Sequence, residues 1–294
     1  MAPNCTVLRE IASEIQDIEN DASLADMTNF AARVAVIDRI EFRILDRLDG
    51  LGDLPELSRR AEGLQNDLEA INQALFRGLR EQIRLGNCTG AAFRNEMLRY
   101  TGAASDAHGY DAIDVFVNGL LRGDTAPAET RPREPEMVFY QPTPARIVLE
   151  LARKIGKGDV FYDLGSGLGQ VTVLVNLLAG CKSIGIEFES AYCDYARGCA
   201  AQLELSRVEF VNADARNADY SDGTVFFMYT PFKGAILRRV LERLAAQARK
   251  RAITIGSYGP CTLDLSKQSW LTRMDQNGNV ENKLAIFASS DEEN

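Results

Sequence analysis

The chain has 294 residues, 46% of them hydrophobic and 26% charged, with a formal net charge of −9 at pH 7. That composition is enough to bury a sizeable core, and it excludes disordered, collagenous and membrane-spanning classes; no stretch approaches the roughly 18 apolar residues of a spanning helix. Residues 1–130 hold 13 arginines, no lysine and 22 acids, whereas the remainder balances 20 bases against 20 acids, so no basic stripe offers a surface for nucleic acid.

The opening MAPNCTVLREIASEIQDIEN has neither a basic start nor an apolar run, and the six cysteines are scattered without a C-x-x-C pair. Both features predict a cytoplasmic chain with no disulfide framework. The single histidine, His108, leaves a zinc site short of ligands and reads as a surface-loop residue.

Apolar residues recur at helical spacing through the first part: Ile11, Ile15 and Ile18, then Phe30, Val34, Ile37, Ile40 or Phe42, Ile44 and Leu48. Leu57, Leu64, Leu68, Ile71, Leu75, Leu79 and Ile83 continue the pattern. With shorter helices around 90–100 and 109–121, this predicts an all-α domain of four to six helices over residues 1–124. The leucine series reads first as intramolecular core and second as the seam of a homodimer. Residues 124–135, DTAPAETRPREP, hold three prolines that cannot continue a helix, and 125–135 reads as a linker.

From 136 to 294 strand and helix alternate. Strands are predicted at 159–164, 181–187, 208–212, 224–229 and 252–257, with helices at 168–179, 190–205 and 233–250 between them. This spacing implies an α/β fold, a mostly parallel, Rossmann-like sheet covered on both faces. Gln276-Asn277-Gly278-Asn279 between two strand-like runs predicts a closing antiparallel hairpin, since a type I′ turn needs positive φ at both central positions.

The first of these strands ends in Asp163-Leu164-Gly165-Ser166-Gly167-Leu168-Gly169-Gln170, directly before a helix. Glycines let the backbone turn tightly and approach a ligand, and the helix start offers unpaired N–H groups. Gln170 takes the place of the last glycine of a dinucleotide fingerprint, and Asp163 would repel a pyrophosphate. Both departures favour S-adenosylmethionine, with its ammonium and cationic sulfur, over NAD. Glu187, closing the second strand, is placed to accept two ribose hydroxyls, and Asp214, after the third, to accept from an adenine amino group, with Phe188 and Ala215 packing on the ring. Singly, each acid has a plainer reading as a helix cap or loop acid; together they make a specific pattern.

Over about residues 135–290 the sequence resembles the class I S-adenosylmethionine-dependent methyltransferases, and most closely the disruptor-of-telomeric-silencing family of histone lysine methyltransferases. The resemblance rests on DLGSGLGQV at Asp163 to Val171, on Gly185-Ile186-Glu187, and on Phe139-Tyr140-Gln141-Pro142-Thr143-Pro144. It implies that this last segment folds over the methionine end of the cofactor; read from the residues themselves, Thr143-Pro144 is also a helix N-cap and N1 pair. The family's Asn-Asn-Phe segment beside the target lysine has no counterpart in Met228-Tyr229-Thr230-Pro231-Phe232-Lys233-Gly234. The cofactor residues are therefore carried over and the acceptor is not.

The expected activity is methyl transfer from S-adenosylmethionine to a small molecule or a protein lysine, with Tyr229, Thr230 and Tyr140 lining the transfer site and Tyr258 completing it. The cofactor set is Tyr140, Asp163, Gly165, Gly167, Gln170, Glu187, Phe188, Asp214, Ala215 and Tyr229, with no metal. A non-catalytic cofactor-binding protein is the alternative from a different class.

Overall fold

The computed structural model describes residues 2–52, 54–102, 111–121, 126–275 and 282–290. Among the described residues the N-terminal part holds helices and no strand: α1 (Ala2–Asn20), α2 (Phe30–Arg39), α3 (Asp46–Leu51), α4 (Pro55–Arg84), α5 (Ala91–Thr101) and α6 (Ala112–Leu121). A π-helical segment, Ile40–Leu45, joins α2 to α3. It decides between the two candidates left open by the sequence: Ile40 and Ile44 are buried and Phe42 points outward, 63% exposed. No described helix is long and apolar enough to cross a membrane.

The remaining elements are α7 (Ala145–Ala152), β1 (Val160–Leu164), α8 (Gln170–Ala179), β2 (Lys182–Glu187), α9 (Ser190–Gln202), β3 (Val208–Asn212), β4 (Val225–Met228), α10 (Gly234–Ala248), β5 (Thr254–Ser257), α11 (Cys261–Leu265), β6 (Leu271–Arg273) and β7 (Ala285–Ser289). They build one seven-stranded sheet in the order β3-β2-β1-β4-β5-β7-β6. The first five strands run parallel, and β7 is antiparallel to both β5 and β6. The Rossmann-like sheet with an antiparallel end is thus the one expected. The Asn277-Gly278 turn and His108 lie outside the described residues.

The order of strands places the site. Neighbouring β1 and β4 are reached by chain leaving in opposite directions across the sheet, which opens a crevice at their carboxyl ends, where ligands bind in open α/β sheets. One face of the sheet is covered by α10 and α11. The other is covered by α7, α8 and α9, and its core runs on without a break into α2, α4, α5 and α6. Phe30, Phe76 and Phe116 meet edge to face there at 5.5–5.7 Å between centroids. Tethers reinforce the contact: Gly90 N–H donates to the Leu177 carbonyl at 2.6 Å and Arg84 Nε to the Gln202 carbonyl at 2.8 Å. A separate cluster of Ile11, Ile15, Ile18, Ile40, Ile44, Leu48, Ala61 and Leu68 closes the far end of the helices.

One local expectation changes. Helix α7 begins at Ala145 rather than Pro144, and Thr143 does not cap it: Pro144 holds the N-cap position with no side-chain hydrogen bond. The acceptor comes instead from α6, as Asp114 Oδ1 takes the Ala145 N–H at 2.7 Å.

Candidate functional site

A crevice opens at the ends of β1, β2 and β3, its walls built from all three strand exits. Nine of the ten residues expected to bind a cofactor are found in one wall after another: Asp163, Gly165 and Gly167 from the β1 turn, Gln170 from α8, Glu187 and Phe188 from β2, Asp214 and Ala215 after β3, and Tyr140 ahead of α7. Tyr229, at the exit of β4, is the tenth.

Backbone chemistry explains the bend. Gly165 and Gly167 sit at φ +77° and +53°. A Cβ at Gly165 would lie 2.2 Å from Pro231, and one at Gly167 2.3 Å from the Tyr140 ring. The glycines therefore give room to the cavity's own walls as well as to a ligand.

Each acid has a distinct environment. Asp163 is 3% exposed and accepts from the Thr172 hydroxyl at 3.0 Å, while the N-cap position of α8 belongs to Gly169, with no side-chain cap bond. Burial pushes its carboxyl up to about 7, with the nearby Glu187 adding to the rise against the Thr172 bonds. Glu187 accepts the Gly167 N–H at 2.8 Å through Oε2 and the Glu189 N–H at 2.7 Å through Oε1. Burial raises its pKa too. Asp214 is held below the usual carboxylate range by Arg216, whose Nε and Nη2 lie 2.9 and 2.6 Å from Oδ2. Arg216 also binds Glu134 through both terminal nitrogens. This guanidinium was not foreseen: the expected adenine acceptor carries an ion pair.

The segment read as a linker lies across the mouth. Glu189, the N-cap of α9, accepts the Thr130 and Arg131 N–H groups at 3.0 Å each and the Thr130 hydroxyl. Burial works against its charge, yet these bonds and the Ala191 N–H hold it down to about 2. Glu129 accepts from Arg133 at 2.9 Å and from Tyr192 at 3.3 Å, and Arg133 stacks 3.1 Å over the Phe139 ring. Val138 N–H reaches the Pro231 carbonyl at 3.0 Å. With Glu134 tied to Arg216, residues 129–138 form a strap fixed at both ends. Its prolines pointed to a non-helical linker; the partners that fasten it come from α9 and the β3 exit, far away in sequence.

At the exit of β4, Tyr229 donates to Gln141 Oε1 at 3.2 Å and its ring lies 4.8 Å from that of Tyr258. Burial raises the Tyr229 phenol, which is therefore protonated at neutral pH and a donor. Thr230 differs from expectation. It is not among the residues lining the cavity, and its hydroxyl is engaged, donating to the Tyr258 carbonyl at 3.3 Å and accepting the Cys261 N–H at 3.2 Å. At φ +38° it turns the chain out of β4 and fixes the loop that carries Tyr258. Ser166, which the sequence reading passed over, lines the cavity with a buried hydroxyl that has no partner, as does Gln170 with its Oε1.

With this geometry in view, comparison with known proteins is specific in one segment. Residues 144–227 match the family described as Histone methylation protein DOT1. The H3 lysine-79-specific histone-lysine N-methyltransferase of Caenorhabditis elegans is 30% identical over 106 residues, covering 31% of this chain and 11% of that relative. The chain thus spans about a tenth of the length of the curated relative it matches. Among solved structures, an RNA methyltransferase from Salinibacter ruber in complex with S-adenosyl-L-homocysteine aligns over 51% of this chain and 92% of its own, at 26% identity and a TM-score of 0.41. The putative methyltransferase yhhF from Escherichia coli aligns over 49% and 86%, at 15% identity and a TM-score of 0.42. The DOT1 match covers β1, the glycine bend, Glu187 and Asp214, and stops before Tyr229.

Proposed function

We propose that this chain is a methyltransferase that binds S-adenosylmethionine in the crevice at the ends of β1, β2 and β3. The observation that carries this reading is the convergence of Asp163, Glu187 and Asp214, from three successive strands, on one cavity floored by the Gly165–Gly167 bend. The residues present suit such a group: carboxylates face a ligand with a cationic sulfur and an ammonium, and the unpartnered Ser166 hydroxyl and Gln170 carbonyl mark buried polar capacity in the same walls. The DOT1 match over these elements supports the same assignment.

S-adenosylmethionine supplies an electrophilic methyl group on positively charged sulfur. The chain's part is to hold and align. Asp163 and Glu187 would bind through charge-assisted hydrogen bonds, and Tyr140 and Tyr229 would wall the acceptor side, where effective molarities of about 10⁵ M or more are available to a well-oriented pair. A protonated Tyr229 serves there as a donor rather than as a base. A protein lysine is the acceptor favoured by the DOT1 match, and a small molecule is the alternative favoured by the absence of the family's two asparagines from Met228–Gly234. The described cysteines at 88, 181, 193, 199 and 261 are buried and in no disulfide, which supports a reducing compartment such as the cytoplasm.

The reading is tested by incubating the chain with radiolabelled S-adenosylmethionine and, in parallel, core histones and a metabolite extract. Label transferred to either, with release of S-adenosylhomocysteine, supports it; cofactor binding without transfer to any acceptor supports the non-catalytic alternative.

A further inference from the structure

One side chain of the N-terminal helices bonds to the start of α7, the helix that follows the Tyr140–Thr143 wall of the cavity. Asp114, in the first turn of α6, is 3% exposed, and its two oxygens divide their work: Oδ2 accepts the Asp111 N–H at 2.9 Å and Oδ1 the Ala145 N–H at 2.7 Å. A helix start leaves its first N–H groups without partners, and Pro144 at the N-cap has no side-chain oxygen to offer. A residue 31 positions upstream, on another helix, supplies the missing acceptor.

What α7 carries makes this consequential. Tyr140, Gln141 and Thr143, just ahead of its first turn, line the cavity. Arg146, the second residue of that turn, donates to the Tyr258 hydroxyl at 3.4 Å, and Tyr258 packs on Tyr229. Fixing the start of α7 therefore fixes the wall ahead of it and the aromatic pair beside it. We propose that Asp114 is a positioning residue: by capping α7 from outside, the N-terminal helices set the Tyr140–Thr143 wall of the ligand site. The role in binding rests on the cofactor reading above; the capping role does not.

Two readouts separate these. Hydrogen–deuterium exchange over residues 139–147 reports the wall itself, and calorimetric titration with S-adenosylmethionine, well below every variant's Tm, reports the ligand. Asp114→Ala is expected to speed exchange in this stretch at least tenfold and to lower affinity at least tenfold, while Asp114→Asn, which keeps one acceptor oxygen but sets an NH2 against the second N–H, falls between Asp114→Ala and the parent. Ala145→Pro deletes the donor at a helix position where proline is accommodated, and is expected to repeat the Asp114→Ala result even if that variant does not fold. Ile15→Ala, in the remote isoleucine cluster, controls for lost stability and leaves both readouts unchanged. Unchanged exchange in Asp114→Ala or Ala145→Pro, or an equal change in Ile15→Ala, overturns the proposal. Faster exchange in a chain whose parent binds no S-adenosylmethionine upholds the capping and rejects the cofactor reading instead.

Discussion

The Gly167 amide donates to the Glu187 carboxylate at 2.8 Å, joining the bend after β1 to the end of β2 before any ligand arrives. The bond holds the glycine turn against a carboxylate that lines the crevice. Such preorganisation lowers the ordering cost of binding. Glu187→Ala should therefore lose both a ligand contact and a support of the bend. An affinity loss of tenfold or more for S-adenosylmethionine is expected in calorimetry, from roughly 1.5–3 kcal/mol per charge-assisted hydrogen bond.

Asp163 predicts a pH dependence. Its carboxyl sits at about 7 because burial disfavours charge. A group raised above its unfolded value stabilises the fold at low pH and costs stability as pH rises from the unfolded pKa towards 7. A cationic ligand reverses that preference by favouring the ionised form. Affinity for S-adenosylmethionine should rise between pH 6 and 8, with proton release below pH 7 measurable by calorimetry in buffers of different ionisation enthalpy. Asp163→Asn should raise the Tm of the ligand-free chain at pH 8, weaken binding and flatten the pH profile.

The strap offers a kinetic prediction. Glu189 alone holds two backbone amides and a hydroxyl of the segment 130–131. Glu189→Ala frees one end of the strap while Glu134–Arg216 keeps the other. Stopped-flow dissociation of bound ligand should quicken severalfold, with a smaller change in the association rate, and limited proteolysis should cut near Arg131 or Arg133.

At Gly167 the collision is specific enough for a double variant. Gly167→Ala places a Cβ 2.3 Å from the Tyr140 ring at a positive φ. Binding should fall by more than tenfold. Gly167→Ala combined with Tyr140→Ala should bind better than the two losses multiplied together, because the second change removes the clash created by the first.

The sheet and its ligand turn were legible because their signals are local. In each case the apolar strand and its acid are contiguous: Asp163 stands at the end of β1 with the Gly-x-Gly bend directly after it, and Glu187 closes β2. The Ile40 or Phe42 ambiguity was not resolvable in this way, since a π-helical segment shifts the buried face by a fraction of a turn. Arg216 on Asp214, Glu189 on Thr130 and Asp114 on Ala145 have no linear signature, because each pairs groups whose meeting depends on how whole elements pack. Thr230 was misplaced for a related reason: its position at the end of β4 is right, but positive φ turns its hydroxyl into the neighbouring loop.

The most direct test of the cofactor claim is a calorimetric titration of the parent chain, Asp163→Ala and Glu187→Ala with S-adenosylmethionine at pH 7.5, with NAD as the comparison ligand. Binding of S-adenosylmethionine at one site, weakened at least tenfold in each variant, with no heat from NAD, is the predicted result. Equal affinity in all three proteins, or binding of NAD alone, would contradict it.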